Sequence, residues 1–401
     1  MRVLRSDNMT DFVTETTGDI RQTLDSVLDT SLSDPAWIQC CLPIRQGGLG
    51  VQNPLFTQHA AYFSSAVADC SGAFSPMNET AEPTQELWAA AEQLTHQIDQ
   101  DPVLAKWVVD GHLPPPVQLM ENGQHTQKYW SAKVHQQVKH DLQANANLRD
   151  QIRLQSAGAE HAGAWLSVIP NDNLGFHFGA DVYKLLIKSL LGMQVLPEAA
   201  AGTPCDDCGQ PLDIYGDHLL SCRYGGAWKR HNFVAATLNA IAVSAGITTS
   251  REVQINGKER PADLLLSRWD GNRDAAVDLT TRHNLLPTAQ WDLNQSAVAQ
   301  AEEAKLTKYK DTCNAASVTF IPVDVDTFGA TGPHAASFLG KLFTRYAKRA
   351  GRAEERYRGQ HHRECWQRLS VALHKAKAEQ LCAVFTVLGG VTAVPYRGTE
   401  E

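Results

Sequence analysis

Residues 261–280 read Pro-Ala-Asp-Leu-Leu-Leu-Ser-Arg-Trp-Asp-Gly-Asn-Arg-Asp-Ala-Ala-Val-Asp-Leu-Thr. Two short runs rich in apolar residues, 262–267 and 275–280, flank a turn-forming Asp-Gly-Asn sequence, which predicts two antiparallel strands. The first strand opens with Asp263, and the second carries Asp278 between apolar neighbours. Acidic residues are uncommon in strands, so a carboxylate on each of two adjacent strands indicates a functional site.

The sequence on either side of these strands alternates between helical and extended patterns. One more strand is predicted before them, and a helix, a largely buried strand and another helix are predicted after them. Asn256-Gly257 predicts a hairpin turn between the first two strands. The predicted order is α-β-β-β-α-β-α, formed by residues 227–245, 251–255, 262–267, 275–280, 295–314, 317–325 and 334–350.

The remainder of the chain predicts a division into four regions. Residues 1–196 have mostly helical periodicity, residues 197–226 are rich in Gly, Cys and Asp without periodicity, and residues 227–350 contain the α/β core. Residues 351–401 continue as a basic helical tail. The predicted fold class is therefore α/β, with a helical N-terminal region, a small metal-binding module, an α-β-β-β-α-β-α core and a helical tail.

Residues 197–226 contain three cysteines and one histidine at the spacing of metal ligands. Cys205 and Cys208 are separated by two residues. His218 and Cys222 lie four apart, so one helical turn would direct both side chains to the same side. Zinc binds four such ligands tetrahedrally, and a site closed by four protein ligands is structural. We therefore predict a structural zinc site; the alternative is a set of unconnected surface side chains.

The two aspartates and a lysine are candidates for a second metal site. Two neighbouring carboxylates repel each other unless a cation lies between them, and Mg²⁺ binds one or two carboxylates together with water and phosphate. Lys305 lies on the face of helix 295–314 that is expected to pack on the sheet, and Lys308 is one turn further on. Asp263, Asp278 and Lys305 are the predicted catalytic residues. The alternative is two strand-end charges and a lysine that extends into solvent.

The overall composition limits the remaining classes of protein. The 401 residues carry a formal net charge of −8, which by itself argues against nucleic-acid binding. Basic residues nevertheless dominate residues 341–377, where they form either a phosphate-binding surface or a solvated helical face. Nine cysteines, an odd number with only three clustered, favour reduced thiols. No apolar run reaches the length of a membrane span and the N-terminus is polar, so we expect a soluble, intracellular protein.

The stretch from Cys205 to Lys348 resembles the C-terminal part of non-LTR retrotransposon polyproteins of the restriction-like endonuclease type. That family has a CCHC zinc motif, a short Arg-His-Asp motif and a PD-(D/E)XK nuclease, whose lysine often moves to the following helix. The matching residues are Cys205, Cys208, His218 and Cys222, then Arg230-His231-Asn232, Pro261-Ala262-Asp263, Asp278, and Lys305, Lys308 and Tyr309. Residues 42–50 are similar to the segment that follows the reverse-transcriptase thumb in such proteins.

The resemblance implies a restriction-endonuclease-like core that nicks DNA with Mg²⁺. Asp263 and Asp278 would bind the cation. Lys305 or Lys308, with Tyr309 in the same motif, would orient the attacking water or stabilise negative charge on the phosphate. The implied zinc ion is structural, and the implied Mg²⁺ is catalytic.

Three further residues are candidates for supporting roles because of their positions in the predicted elements. Glu252, on the preceding strand, is either an outer metal ligand or an exposed strand residue. Arg230 and His231, at the start of helix 227–245, either contact nucleic-acid phosphate or flank a surface helix. The implied partners are target DNA and the element's RNA, and the implied location is the nucleus.

The chain departs from the family pattern at several positions. Asn232 replaces an aspartate, Ala262 separates the Pro and Asp of the nuclease motif, and Thr280 stands where an unmigrated lysine would be. The 401 residues contain no Tyr-x-Asp-Asp polymerase motif. The resemblance therefore implies an endonuclease without the polymerase core. The alternatives are a catalytically inactive, zinc-containing nucleic-acid-binding remnant and an element remnant with no selected function.

Overall fold

The structure, a computed structural model, describes residues 10–70, 84–98, 101–255, 259–285, 296–350 and 355–387. The chain divides into two compact units: one comprises Met1–Pro43 and Gly48–Asn145, and the other comprises Ile44–Gly47 and Ala146–Glu401. Each unit has its own cluster of buried apolar side chains.

The first unit is helical wherever it has regular secondary structure in the described ranges. Its helices are α1 (Thr10–Leu28), α2 (Asp34–Cys41), α3 (Pro54–Cys70), α4 (Gln85–Gln97), α5 (Pro102–Asp110), α6 (Pro116–Glu121) and α7 (Gln127–Ala144). Ser33 begins α2, because its hydroxyl accepts a hydrogen bond from the N–H of Ala36 at 3.5 Å. Phe63, Trp107 and Trp130 pack at the centre with ring centroids 5.4 to 6.1 Å apart.

The second unit combines helices with a mixed sheet, which confirms the predicted α/β class. Its helices are α8 (Leu148–Ala157), α9 (Ala180–Leu190), α10 (Asp217–Ser221), α11 (Ala227–Ser244), α12 (Ala297–Ala315), α13 (Pro333–Arg349) and α14 (Glu355–Val387). Its strands are β1 (Thr249–Ile255), β2 (Glu259–Asp270), β3 (Arg273–Arg282) and β4 (Val318–Asp326). Short 3-10 turns occur at Ile44–Gln46, Ala162–Ser167 and Glu198–Ala200.

The four strands lie in the order β1-β2-β3-β4. The first three pair antiparallel, whereas β3 and β4 are parallel and are joined through α12, as a parallel pair requires a crossover. Helices α11, α13 and α14 pack on the face that carries Leu264 and Val277. Helix α12 covers the opposite face, over Ala276 and Phe320. Because side chains alternate between the two faces of a strand, the buried centre of β3 is apolar on both sides.

The predicted elements of the α/β core are present in the predicted order. Strands β2 and β3 are longer than predicted because their pairing continues to Asp270 and Arg273 at the hairpin. The turn predicted at Asn256-Gly257 lies outside the described residues. Asn145 is the last residue of the first compact unit and Ala146 begins the long segment of the second, whereas the four-region division of the chain stays a prediction. In the part of the chain that the structure describes, no helix is both long enough and apolar enough to cross a bilayer.

The basic tail begins as α14, which packs against α11 and α13. Lys377 is 1% exposed and His374 is 2% exposed. Burial lowers the pKa of Lys377 to about 7, although Asp326 and Asp217 act in the opposite direction. Its ammonium lies 4.1 Å from the ring centroid of Phe328. Lys377 is therefore part of the core, contrary to both alternatives, whereas the other lysines and arginines of the stretch that the structure describes are not among the buried side chains, and their role stays a prediction.

Stability should depend on pH through His374. Its Nδ1–H donates to the carbonyl of Ser370 at 2.8 Å, and its ring stacks on Trp165. Burial, reinforced by Lys377, lowers its pKa to about 3, whereas a histidine of the unfolded chain binds a proton below about pH 6.5. The free energy of unfolding should therefore fall as the pH decreases from about 6.5 to about 3, by up to about 1.4 kcal/mol per pH unit.

Denaturant titrations of His374→Gln should show a weaker dependence on pH than the parent protein over this window. The matched control is His177→Gln in the same unit, because the side chain of His177 is 57% exposed. The control should keep the slope of the parent. If both variants keep it, His374 does not contribute to the acid sensitivity.

Candidate functional site

The four predicted zinc ligands converge in the second unit. The Sγ atoms of Cys205 and Cys222 are 4.0 Å apart, and Cys208 Sγ is 3.2 Å from Nε2 of His218. All four ligand atoms lie within 4.8 Å of one another. Tetrahedral zinc with bonds of about 2.3 Å places two thiolate sulfurs about 3.8 Å apart, so the cluster is positioned to bind a metal such as zinc. In the described ranges, no other set of three or more such ligands converges as closely.

The backbone around this cluster is organised by hydrogen bonds and glycines. One carboxylate oxygen of Asp213 accepts from the N–H of Tyr215 at 2.8 Å, and the other accepts from the N–H of His218 at 2.7 Å. Gly209 and Gly216 both have φ of +73°, a conformation that glycine adopts without strain. Hydrogen bonds and turns of the protein itself therefore position the backbone at both pairs of predicted ligands.

A buried carboxylate, Asp217, immediately precedes the predicted zinc ligand His218. Arg149 of α8 donates to it twice, at 2.5 and 3.1 Å, and Nε2–H of His283 donates at 3.0 Å. Because a carboxylate only accepts, the proton of His283 lies on Nε2, and Nδ1 accepts from the hydroxyl of Thr327 at 2.6 Å. Burial opposes ionisation of Asp217, but the bonds from His283 and Arg149 outweigh it, so the pKa of Asp217 is lowered.

Arg230 does not occupy a surface position from which it could contact phosphate. Its side chain is 1% exposed. The guanidinium donates to the main-chain carbonyls of Leu220 and Thr281, at 3.1 and 3.3 Å, and to the side chain of Gln380. Burial lowers the pKa of Arg230 to about 10, which leaves it charged at neutral pH. The prediction of a phosphate contact is corrected: this side chain connects α10, α11, β3 and α14.

Asp263 lies where β2 and β3 begin to separate. The strands pair from Leu264 and Val277 toward their hairpin. Just beyond this pair, Oδ2 of Asp263 accepts from the N–H of Leu279 at 2.7 Å. The other oxygen, Oδ1, lies 3.3 Å from Nε2 of His231 on α11. The carboxylate thus replaces a main-chain partner between two diverging strands, which explains an acidic residue at this strand position.

Helix α12 is held in place by a buried glutamate. Glu302 is 0% exposed and accepts from the N–H groups of His334 and Ala335 at 2.8 and 2.9 Å, at the start of α13. It also accepts from the N–H of Asp324 in β4 at 3.4 Å. The first N–H groups of a helix have no partner within the helix, so a carboxylate there is stabilising. This contact fixes the helix that carries Lys305.

The ammonium of Lys305 reaches across to β3. Its Nζ lies 3.2 Å from Oδ2 of Asp278, and it donates to the main-chain oxygen of Asp278 at 3.3 Å and to the hydroxyl of Thr280. Lys308 is exposed, and its ammonium lies 4.6 Å from the ring centroid of Tyr309. The candidate lysine that lies against the second aspartate is thus Lys305.

The two aspartates influence each other electrostatically. Burial raises the pKa of Asp278, Lys305 opposes that shift, and the negative charge of Asp263 raises the pKa further. Repulsion between two partly buried carboxylates is relieved when a divalent cation lies between them. The oxygen donors of Asp263 and Asp278 therefore fit Mg²⁺, which binds one or two carboxylates and completes its shell with water and phosphate.

Two other predicted catalytic residues lie apart from this pair. Glu252 is exposed on β1 with φ of +51°. Among the described side chains, it does not converge with Asp263 and Asp278 into a three-carboxylate cluster. Tyr309 packs its ring against Phe320 with centroids 5.5 Å apart, between α12 and the sheet. The structure thus gives Tyr309 a packing contact.

Sequence reasoning missed the polar residues that connect the zinc cluster to the sheet. Arg149 and Asp217 are 68 positions apart, and Asp217 and His283 are 66 apart. No motif spacing marks contacts over such distances. The available signal was indirect: Asp217 is next to a zinc ligand, and His283 follows the strand that carries Asp278.

Comparison with models of known protein families and with curated proteins finds no match to this chain.

Arg230 should matter for stability. Arg230→Met leaves three buried acceptors without their donor, so we expect the free energy of unfolding to fall by about 3 kcal/mol. The adjacent Lys229 is exposed, and Lys229→Met should change it by less than about 0.5 kcal/mol. Urea titrations of the three proteins measure both values. Equal stability of the two variants would show that Arg230 is not the connection that its contacts indicate.

The cysteine cluster should hold one zinc ion for each chain. Cys208→Ser removes a thiolate ligand, so the protein should lose its metal during dialysis against a chelator and melt at a lower temperature. Metal content by mass spectrometry and thermal melting are the measurements. Cys382→Ser is the matched control, because Cys382 packs against the same apolar cluster without joining the ligand set. Unchanged zinc content in Cys208→Ser would contradict the assignment.

Proposed function

We propose that this protein is a metal-dependent endonuclease that nicks DNA, with a restriction-endonuclease-like core formed by α11–α13 and β1–β4. The main support is the position of the Lys305 ammonium against Asp278 and Thr280. Thr280 is the position at which the nuclease motif of the resembled family has its lysine. The backbone of Lys305 lies on α12, and its ammonium lies beside Thr280. The resemblance implies this arrangement for a lysine that has moved from the strand to the helix.

The proposed reaction is hydrolysis of one phosphodiester bond. Water attacks phosphorus, the bond to the 3′ oxygen breaks, and the products are a 3′ hydroxyl and a 5′ phosphate. Asp263 and Asp278 would hold the cation. A bound Mg²⁺ would supply positive charge that polarises the phosphodiester and lowers the pKa of the attacking water.

The other residues of the site position charge. Lys305 stabilises negative charge that develops on the phosphate oxygens, because its ammonium is held by β3 in a partly buried position. His231 and the N–H of Leu279 hold the carboxylate of Asp263 from two sides. Because both carboxylate oxygens of Asp263 already have fixed partners, the side chain needs less reorganisation to reach its position in the transition state.

The zinc cluster has a supporting role in this proposal. His283 follows β3 in the chain and donates to Asp217, whose neighbour His218 is a predicted zinc ligand. Strand β3 also carries Asp278. Loss of zinc should therefore disturb the end of β3 and reduce nicking.

A second candidate is a nucleic-acid-binding protein without nuclease activity. The observation that favours it is that the two carboxylates already have basic neighbours, His231 and Lys305. In a polar network that only stabilises the fold, each carboxylate would likewise be paired with a basic side chain. In both cases the partner is DNA, and the proposed origin is a polyprotein of the non-LTR retrotransposon type.

The deciding experiment is nicking of supercoiled plasmid with Mg²⁺ or Mn²⁺. We expect Asp278→Asn to lower the nicking rate by about 10³-fold and Lys305→Met by about 10²-fold or more, since each removes charge from the reacting centre. Lys308→Met should stay within about threefold of the parent because Lys308 lies outside the cluster. Asp274→Asn, an acidic residue on the same strand, is the control for loss of a carboxylate.

Circular dichroism and zinc content establish that each variant is folded before its rate is compared. Metal-dependent nicking that disappears in Asp278→Asn and Lys305→Met, but not in the two controls, supports the nuclease. Equal nicking by all five proteins would falsify the assigned site. No nicking by folded, zinc-loaded parent protein, together with salt-dependent binding of DNA, would favour the inactive binding protein.

A further inference from the structure

Two exposed aromatic side chains, Tyr224 and Trp228, lie in the sequence between the last predicted zinc ligand, Cys222, and His231. Tyr224 is 74% exposed and Trp228 is 61% exposed, the two highest values for aromatic residues in the described part of the chain. Tyr224 follows the last zinc ligand by two positions, and Trp228 lies in the first turn of α11. Single exposed apolar residues are common on protein surfaces, but two large rings within five residues are a pronounced local feature.

Trp228 is close to the proposed nuclease site. It precedes His231 by three positions on α11, and side chains three apart on a helix are neighbours, with Cβ atoms about 5–6 Å apart. Nε2 of His231 lies 3.3 Å from Oδ1 of Asp263. The exposed ring thus adjoins the side chain that contacts a proposed metal ligand.

The surroundings of the two rings carry both signs of charge. Arg223 and Lys229, which flank them in sequence, are exposed cations. Asp207 lies against Gly225 in the turn before α11. Glu379 on α14 interacts electrostatically with Lys229. A surface of balanced charge gives limited affinity for phosphate, so the aromatic rings are the feature that distinguishes this surface.

We infer that Trp228, assisted by Tyr224, stacks on an unpaired base of the nucleic-acid strand beside the phosphate that is cut. This inference rests on the proposed function and names its substrate class: DNA that is single-stranded or locally unpaired at the cleavage position. Stacking on an aromatic side chain is possible for every base because each base has a π face. Bases within an intact duplex are already stacked on one another and are not available to the ring.

The test uses oligonucleotides that contain 2-aminopurine, whose fluorescence is quenched when it stacks. Ca²⁺ replaces Mg²⁺, so that the strand is bound but not cut. The parent protein should quench 2-aminopurine at an unpaired position, and Trp228→Tyr should retain most of the quenching. Trp228→Ala should abolish the quenching and weaken binding of the unpaired DNA roughly 10-fold, with a smaller change for the fully paired duplex.

Two controls separate stacking from a general loss of binding or folding. Phe12→Ala removes another exposed aromatic ring, 56% exposed in the first unit, and should bind as the parent does. A strand with abasic sites at the unpaired position has the same phosphates but no base, so Trp228→Ala should bind it as well as the parent. Unchanged thermal melting and zinc content would show that Trp228→Ala is folded.

The inference is overturned if Trp228→Ala retains the quenching, if it loses equal affinity for unpaired, abasic and paired DNA, or if the folded parent binds none of them. Its failure is distinct from failure of the nuclease proposal, which is read from nicking in Mg²⁺. Nicking with no preference for unpaired DNA would reject stacking and leave the nuclease intact. Quenching without nicking would retain the stacking site on a protein that binds nucleic acid but does not cut it.

Discussion

The buried carboxylate of Asp217 is the contact on which the organisation of the second unit depends. It accepts hydrogen bonds from Arg149 on α8 and from His283 after β3, and the next residue, His218, belongs to the zinc cluster. Removing one partner of a buried ion pair costs on the order of 3–5 kcal/mol, because the other charge is left in an apolar environment. Helix α8, the zinc cluster and the end of β3 are therefore coupled, and each supports the position of the other two. A metal bound by the four ligands would therefore influence the end of β3 through Asp217 and His283.

Charges buried at the ends of elements also build the proposed nuclease site. Arg230 on α11 donates hydrogen bonds to one acceptor on each of α10, β3 and α14, and so connects these elements. Glu302 binds the free N–H groups at the start of α13 and so fixes α12. Asp263 replaces a main-chain acceptor where β2 and β3 diverge. Because a buried polar group without a partner costs free energy, these contacts restrict how the elements can move and hold Lys305 near Asp278.

Much of the fold and part of the site could be predicted because the relevant signals are local. The order from α11 to α13 follows from periodicity and turn residues within short windows, and the cysteine cluster follows from ligand spacing. Asp263 and Asp278 were identified because charges in apolar strands need an explanation. Burial was harder to predict: Arg230 and Lys377 look like surface cations in a basic sequence, yet both are almost fully buried. A sequence shows that a residue is charged, but not whether another element covers it.

The sequence by itself determined the order of helices and strands in the α/β core, the four zinc-type ligands and the two strand aspartates, because these depend on residues near one another in the chain. Only the tertiary structure placed the ammonium of Lys305 beside Asp278, removed Arg230 from the surface and joined Asp217 to Arg149 and His283. Those outcomes depend on how α8, α11, α12 and α14 pack in the folded protein. Whether a side chain is buried, and which groups it bonds to, is set by elements that are distant from it in the sequence.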